Sequence, residues 1–468
     1  MNKSRLIQLF STLTKPELRK FRQWLASPCH NQRAEVELLY DYLTNDITGF
    51  QEEYLDKKVA WRLLFKNQAY DNTKFLHLMH QLLRQLEEFI SYERFRASPL
   101  LEELYLLQEL KERRLPKYFN NILKKTTKQQ KQQGLENALY WQRAYEFKME
   151  VFQFSELEKR ATNVDLKELS DALDISYYIQ KLSLACSILS HQTVQQQKDY
   201  DTKRLERVLQ EVEEDSLLDI PAVAMYYYAY KAMTHSDGEE FFQKYLSLLK
   251  ISTALFESIE LRDFYLMGIN YCIRQLNKGS KLHLEAVFYL YKEGVEQQYL
   301  LLNGELSPWT YQNIVASGIR LEHYEWVEQF VDTYKTQLPD QYKDILYRLC
   351  LGKLRHAQGQ LLEAIELLQK LDSKDIFLHI NAKILLAKVY YEVDEFDLLD
   401  MLLTSIKAYM RRKRVIGYHK ENYLNTIQCI QQLTELNLLD KTIKTQFVST
   451  VEALKPLTEK VWILRMLE

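Results

Sequence analysis

Four groupings of side chains have residue types and spacing that could carry chemistry. His77 and His80 stand three apart in a helical pattern, the separation at which two imidazoles share one metal ion. Without a third ligand in helical reach, they read as two polar positions beside an apolar stripe. Cys29 and His30 are adjacent in a turn after Pro28, where neighbouring side chains point apart, so they do not make a nucleophile and its base. Lys117, Lys124, Lys128 and Lys131 fall on one side of a helix whose other side carries Tyr118, Phe119, Ile122 and Leu123. Such a stripe would hold phosphates. It is bordered by Gln129, Gln130, Gln132 and Gln133, and no aromatic residue interleaves for base stacking, so the sequence favours a solvated face. Arg411, Arg412, Lys413 and Arg414 form a denser cluster at a helix end, where cations complement the helix dipole or touch nucleic acid.

Motifs for covalent or phosphoryl chemistry are missing. The sequence holds no Gly-rich phosphate cradle, HExxH helix, CxxC pair or GxSxG elbow. The expectation is a protein without catalytic residues, cofactor or metal.

The elements that position these groups are helical by composition. Hydrophobic residues make up 46% of the 468-residue chain, enough for a large core, while only 11 glycines and 8 prolines punctuate it. Leu, Lys, Glu, Gln and Ala fill the long stretches, and Val and Thr never alternate as strands require. Lys and Arg number 62 against 64 Asp and Glu, so charge-driven binding has to be local. Cys29, Cys186, Cys272, Cys350 and Cys429 are scattered and odd in number, which suits buried thiols in a reducing compartment. The basic prefix Met1–Arg5 leads into an apolar run broken by Gln8 and Ser11, unlike a secretory leader, and the longest apolar stretch, near Ile220 to Tyr230, is too short for a bilayer crossing. A cytoplasmic protein without membrane insertion is expected.

Helix starts are legible. Thr14-Lys15-Pro16-Glu17 reads as a capping box, and Ser98-Pro99, Asp219-Ile220-Pro221 and Ser307-Pro308 each put a capping side chain just ahead of a proline. Residues 1–96 form an N-terminal helical module, with amphipathic segments at Leu6 to Leu13, Pro16 to Ala26, Glu35 to Leu43, Lys57 to Phe65 and Lys74 to Phe95. Residues 97–306 read as irregular helical hairpins, and 307–468 as more regular repeats with C-terminal capping helices.

Around Leu351-Gly352, Gly359, Leu361, Ala364 and Leu368 the sequence resembles a tetratricopeptide repeat: a small residue at the helix crossing, glycine at the turn, then alanine and a large apolar residue on the return helix. Leu386-Ala387, Asp394, Phe396, Leu399 and Leu403 repeat the pattern, with 35 residues separating both Gly352 from Ala387 and Gly359 from Asp394. Ile314-Val315, Tyr324, Val327, Val331, Tyr334 and Pro339 fit the preceding unit. Arg355 stands where that family has an aromatic, Ile376 where it has proline and Leu399 where it has alanine. The resemblance implies an all-α, tetratricopeptide-like α-solenoid, a right-handed superhelix of antiparallel helix pairs.

Further stretches resemble an uncharacterised bacterial family of helical-repeat proteins of unknown function. They include Leu18 to Pro28, Ser176-Tyr177-Tyr178, Ile269 to Ile273, Ser307 to Tyr311, Trp326, Val389-Tyr390-Tyr391 and Glu421 to Asn425. That resemblance implies one architecture and brings no activity.

In such a superhelix the first helix of each pair lines the concave side. Side chains there that packing does not require are Gln312, Arg320, Lys353, His356, Lys388 and Tyr391, a cationic set suited to an acidic or carboxylate-terminated segment of another protein. The 32 tyrosines, with runs at Tyr177-Tyr178, Tyr226-Tyr227-Tyr228 and Tyr390-Tyr391, are mostly packing residues, some placed at rims where a partner would touch them. The expected function is a non-catalytic scaffold or adaptor for a protein or peptide segment. The alternative is a nucleic-acid-associated regulator acting through the basic patches.

Overall fold

The computed structural model describes residues 1–45, 54–66, 68–157, 165–195, 203–235, 238–413, 417–436 and 441–467. They form an all-helical chain that divides into two units, residues 1–134 with 139–176, and residues 135–138 with 177–468. Arg414 falls outside the described residues.

The first unit opens with α1 (Arg5–Phe10), α2 (Lys15–Ala26), α3 (Ala34–Thr44), α4 (Lys57–Leu64) and α5 (Asn72–Arg96). The capping box starts α2 as its sequence dictates: Glu17 N–H donates to Thr14 Oγ1 at 3.4 Å, and Thr14 N–H donates to the Glu17 carboxylate at 2.7 Å. On α5, Phe75, Leu78, Met79, Leu82, Leu86 and Phe89 are buried, one face at three-and-four spacing. That face closes a core with Leu6, Phe10, Phe21, Leu25 and Leu39. A second core lies in α6 (Pro99–Glu112), α7 (Pro116–Gln133) and α8 (Ala138–Leu157), where Phe119 stacks on Phe154 at 4.0 Å. The next helix, α9 (Leu166–Gln195), begins in the first unit and runs into the second.

In the second unit, α10 (Lys203–Glu214) is followed by α11 (Pro221–Thr234) with α12 (Gly238–Ser252), and α13 (Ser258–Asn277) with α14 (His283–Glu296). Next come α15 (Pro308–Arg320) with α16 (Tyr324–Tyr334), α17 (Lys343–Ala357) with α18 (Leu361–Gln369), and α19 (Ile376–Glu392) with α20 (Phe396–Arg412). The described chain then runs through α21 (Gly417–Glu435), α22 (Lys441–Ala453) and α23 (Lys460–Arg465). Between α14 and α15 a two-residue antiparallel pair, Leu301–Leu302 with Glu305–Leu306, is the only strand pairing among the described residues. Each helix packs on its partner in the pair. In addition α11 touches α13, α15 touches α17, α17 touches α19, and α19 touches α21.

Proline marks the starts of α6, α11 and α15, yet the side chains expected to cap them do not. Ser98 and Ser307 sit at the N-cap without a side-chain cap bond, and at α11 the N-cap is Ile220, because Asp219 is taken up in a short 3-10 turn. Fixed φ at the first helical residue suffices there. Of the cysteines, Cys186, Cys272, Cys350 and Cys429 are buried, but Cys29 is exposed. Tyr226 and Tyr227 are both buried, while Tyr177 is 49% exposed. Tyr245 and Tyr311, both deep in the core, donate their hydroxyls to the Phe264 and Val331 carbonyls at 2.6 and 2.9 Å. Among the described residues no helix is long and apolar enough to cross a membrane.

One turn recurs where the chain reverses. Glu322, Gly359 and Asp394 adopt φ of 61°, 75° and 60° just after α15, α17 and α19. In each case the next N–H reaches back five residues to a helix carbonyl: His323 to Gly318 at 3.0 Å, Gln360 to Arg355 at 2.9 Å and Glu395 to Tyr390 at 3.0 Å. These are the bonds of a Schellman closure, which satisfies the last carbonyls and turns the chain back. The helices then approach closely. A Cβ on Gly352 would lie 3.0 Å from Leu368 Cδ2, and one on Gly318 would lie 2.4 Å from Val327 Cγ2.

The two glycines therefore differ in tolerance. Val327 is β-branched and stiff, so Gly318→Ala is expected to lower unfolding stability by about 1–2 kcal/mol, overpacking outweighing the gain in helix propensity. At Gly352 a leucine terminus yields more easily, and Gly352→Ala should stay within about 0.5 kcal/mol of the parent. Urea unfolding of the two variants, with equal losses as the contrary result, checks this ranking.

Candidate functional site

Four of the six residues expected on a binding face line one cleft in the second unit, with a volume of about 560 Å³. Arg320 enters from α15 beside Ala316 and Ile319, Lys353 and His356 from α17 beside Ala357, and Lys388 from α19 with Asn381, Ile384 and Leu385. On every helix the contributions fall at i, i+3, i+4 or i+7, a single helical face. The fourth wall is α21, through Asn422, Tyr423 and Thr426, and Thr458 and Glu459 approach from the segment before α23.

Gln312 and Tyr391 are not among the lining residues. Gln312 sits in the first turns of α15, its amide donating to the Pro308 carbonyl at 3.4 Å. The Tyr391 ring meets Trp462 and Phe396 edge-on at 5.7 and 6.0 Å, and burial raises its hydroxyl pKa.

The cations are not equivalent. Lys388 Nζ is 2.7 Å from Glu459 Oε2 and lies 5.4 Å over the Trp462 ring, a cation–π contact. His356 Nε2 is 2.8 Å from Glu392 Oε1, which also accepts from the Trp462 indole N–H at 2.5 Å and from Arg465 at 3.5 Å. Burial alone would raise the Glu392 carboxyl, but the bonds from His356 and Trp462, with the charges of His356 and Arg465, outweigh it and hold the group below its ordinary value. Arg320 and Lys353 have no carboxylate partner among the described residues. The cleft thus keeps two uncompensated cations, fewer than the sequence reading counted.

Its far wall is braced by amides and hydroxyls. Asn422 donates to Thr458 Oγ1 at 3.1 Å and accepts from Thr458 N–H at 2.8 Å, while the Tyr423 hydroxyl donates to Asn381 Oδ1 at 2.9 Å. Burial pushes the Tyr423 hydroxyl up to about 12, so it remains a donor at neutral pH. Sequence reasoning passed over these residues. Their available signal was spacing: Asn381 is seven before Lys388, and Thr426 is four after Asn422.

The other sequence candidates do not converge. Lys117, Lys124 and Lys128 are exposed on α7, next to Lys125, which pairs with buried Glu103 at 2.8 Å; Lys131 lies in the same helix, but its side chain is outside the described ones. Arg411 and Arg412 occupy the last turn of α20, and Lys413 shares a cleft of about 990 Å³ with Asp372 and Asp375, a mixed-charge setting. His77 and His80 are exposed on α5, and among the described residues no group of three or more His, Cys, Asp or Glu is placed to hold a metal ion. The His30 ring stacks on Trp24 at 3.5 Å.

A second polar cluster escaped the sequence altogether. His283 Nε2 lies 2.7 Å from Glu239 Oε2, and its Nδ1 lies 3.0 Å from Ser280 Oγ. Serine, histidine and carboxylate in that order make a nucleophilic relay in hydrolases. Here Ser280 reaches the imidazole from three residues upstream in the same turn, and the bonds brace the start of α14 against α12, 44 residues away.

No protein-family model, curated protein or solved structure matches the chain.

Because Glu392 is held below the ordinary glutamate value of 4.5, its contribution to stability is complete above that pH and is lost as pH falls through the lowered value. Glu392→Gln is expected to cost about 1.5–3 kcal/mol at pH 7, the scale of hydrogen bonds to a charged group. The deficit relative to the parent should hold down to about pH 5 and shrink on further acidification. Urea titrations across that range would expose a pH-independent deficit as the contrary result.

Proposed function

We propose that the chain is a protein-interaction scaffold whose second unit stacks its helix pairs as a tetratricopeptide-like solenoid, and that the cleft over α15, α17, α19 and α21 takes an acidic peptide segment. Contacts between alternate helices, and a turn recurring at Glu322, Gly359 and Asp394, support the stacking. The observation that carries the binding reading is the meeting of Arg320, Lys353, His356 and Lys388 in one cleft, with Arg320 and Lys353 uncompensated. Carboxylates bind such groups by charge-assisted hydrogen bonds. Asn381, on the same wall, adds an amide that serves a peptide backbone as donor or acceptor.

The test is fluorescence anisotropy with a labelled, C-terminally amidated Gly-Ser peptide carrying two adjacent glutamates. Replacing both Arg320 and Lys353 by Ala should weaken binding by about 10–100-fold, from about 1.5–3 kcal/mol for the bonds lost to charged groups. Binding by the parent should also fall as salt rises. Equal affinity of parent and double variant would refute the reading.

A further inference from the structure

The lysine of the cleft on α19 is already occupied. The Lys388 side chain is 12% exposed, and the carboxylate on it belongs to Glu459 of the same chain. Glu459 is the N-cap residue of α23, yet its side chain makes no cap hydrogen bond, so its described contact is the one to Lys388. Trp462, 5% exposed, anchors α23 without it. Glu459 can therefore leave Lys388 by a side-chain rotation while the helix stays docked.

We propose that Glu459 is a built-in competitor that keeps Lys388 masked, so that a second neighbouring acidic residue in a ligand adds little to its affinity for the cleft. This rests on the reading of the cleft as an acidic-peptide site. An incoming carboxylate at Lys388 exchanges one ion pair for an equal one and gains almost nothing. The internal carboxylate, moreover, acts at an effective concentration of roughly millimolar or above. Net affinity has to come from cations that exchange nothing, and these are Arg320 and Lys353. A segment with one acidic residue satisfies the open pair, and a second acidic residue reaches Lys388 only by displacing Glu459. The gain from that second residue is scaled by the fraction of molecules in which Lys388 is free.

The experiment compares the two-glutamate peptide with an otherwise identical one-glutamate peptide on the full chain. The parent should bind the two peptides within about threefold of each other, because the second glutamate only replaces Glu459. Glu459→Gln keeps the shape and removes the charge, and should tighten the two-glutamate peptide about tenfold, or ~1.4 kcal/mol, while the one-glutamate peptide stays near its affinity for the parent. That gain should vanish in the Lys388→Gln background, which a purely structural role for Glu459 does not require. Thermal unfolding of each variant establishes that it is folded, and Glu459→Asp, which retains the charge, should stay near the parent. If the parent binds the two-glutamate peptide but Glu459→Gln binds both peptides as the parent does, the competitor role is overturned and the cleft reading stands. If the parent binds neither peptide, both fall.

Discussion

The first helix of each C-terminal pair is walled in by its neighbours, and that confinement governs both core and cleft. Helix α19 touches α17, α18, α20 and α21, and Leu378, Ile380, Ala382, Ile384, Leu385, Leu386, Ala387, Val389 and Tyr390 are buried along it. A helix enclosed on several sides is apolar nearly all round. A polar side chain on it must find a partner or face the remaining opening, since an unpaired polar group in the core costs roughly 1–3 kcal/mol. Asn381 and Lys388, seven residues apart, do so on one strip. The polar wall of the cleft is thus what packing leaves over.

Burial also decides which cations are paired. Lys388 and His356, with side chains 12% and 11% exposed, have carboxylates on them, as does Arg355 at 16% through Glu328 and Glu363. A cation so far out of water is costly unless compensated. Arg320, at the exposed end of α15, keeps its hydration and needs no internal partner. Arg355 replaces the aromatic expected from the repeat pattern, and its pairs tie α17 both to its own return helix and to the hairpin before it.

Local periodicity explains what the sequence made legible. Helix faces repeat every three or four residues, so the segments of the first unit could be read directly, whereas the close approach at Gly352 and the face shared by Arg320, Lys353, His356 and Lys388 were expected only from the resemblance to a tetratricopeptide repeat. The partners of those residues could not be read. Glu459 is 71 residues from Lys388 and Glu392 is 36 from His356, separations at which periodicity carries no information. Tyr391 follows Lys388 by three residues, which suggested a shared face, but the large ring is drawn to Trp462, a contact spanning the same long separation. Ser98 and Ser307 misled for a different reason: a proline already fixes the first turn, and the hydroxyl ahead of it is left without that task.

The cleft and the helix crossings are mechanically linked. Four walls from α15, α17, α19 and α21 meet there, and the spacing of each hairpin is set where a second helix lies against a small residue, as at Gly318 and Gly352. Packed interiors shift between discrete arrangements rather than deforming smoothly, so a close crossing leaves little room for adjustment around it. Arg320 stands two residues beyond Gly318, and Lys353 is adjacent to Gly352. The two uncompensated cations therefore ride on the same turns as the two tight crossings. Their separation is set by the packing of α15 on α17, which touch directly.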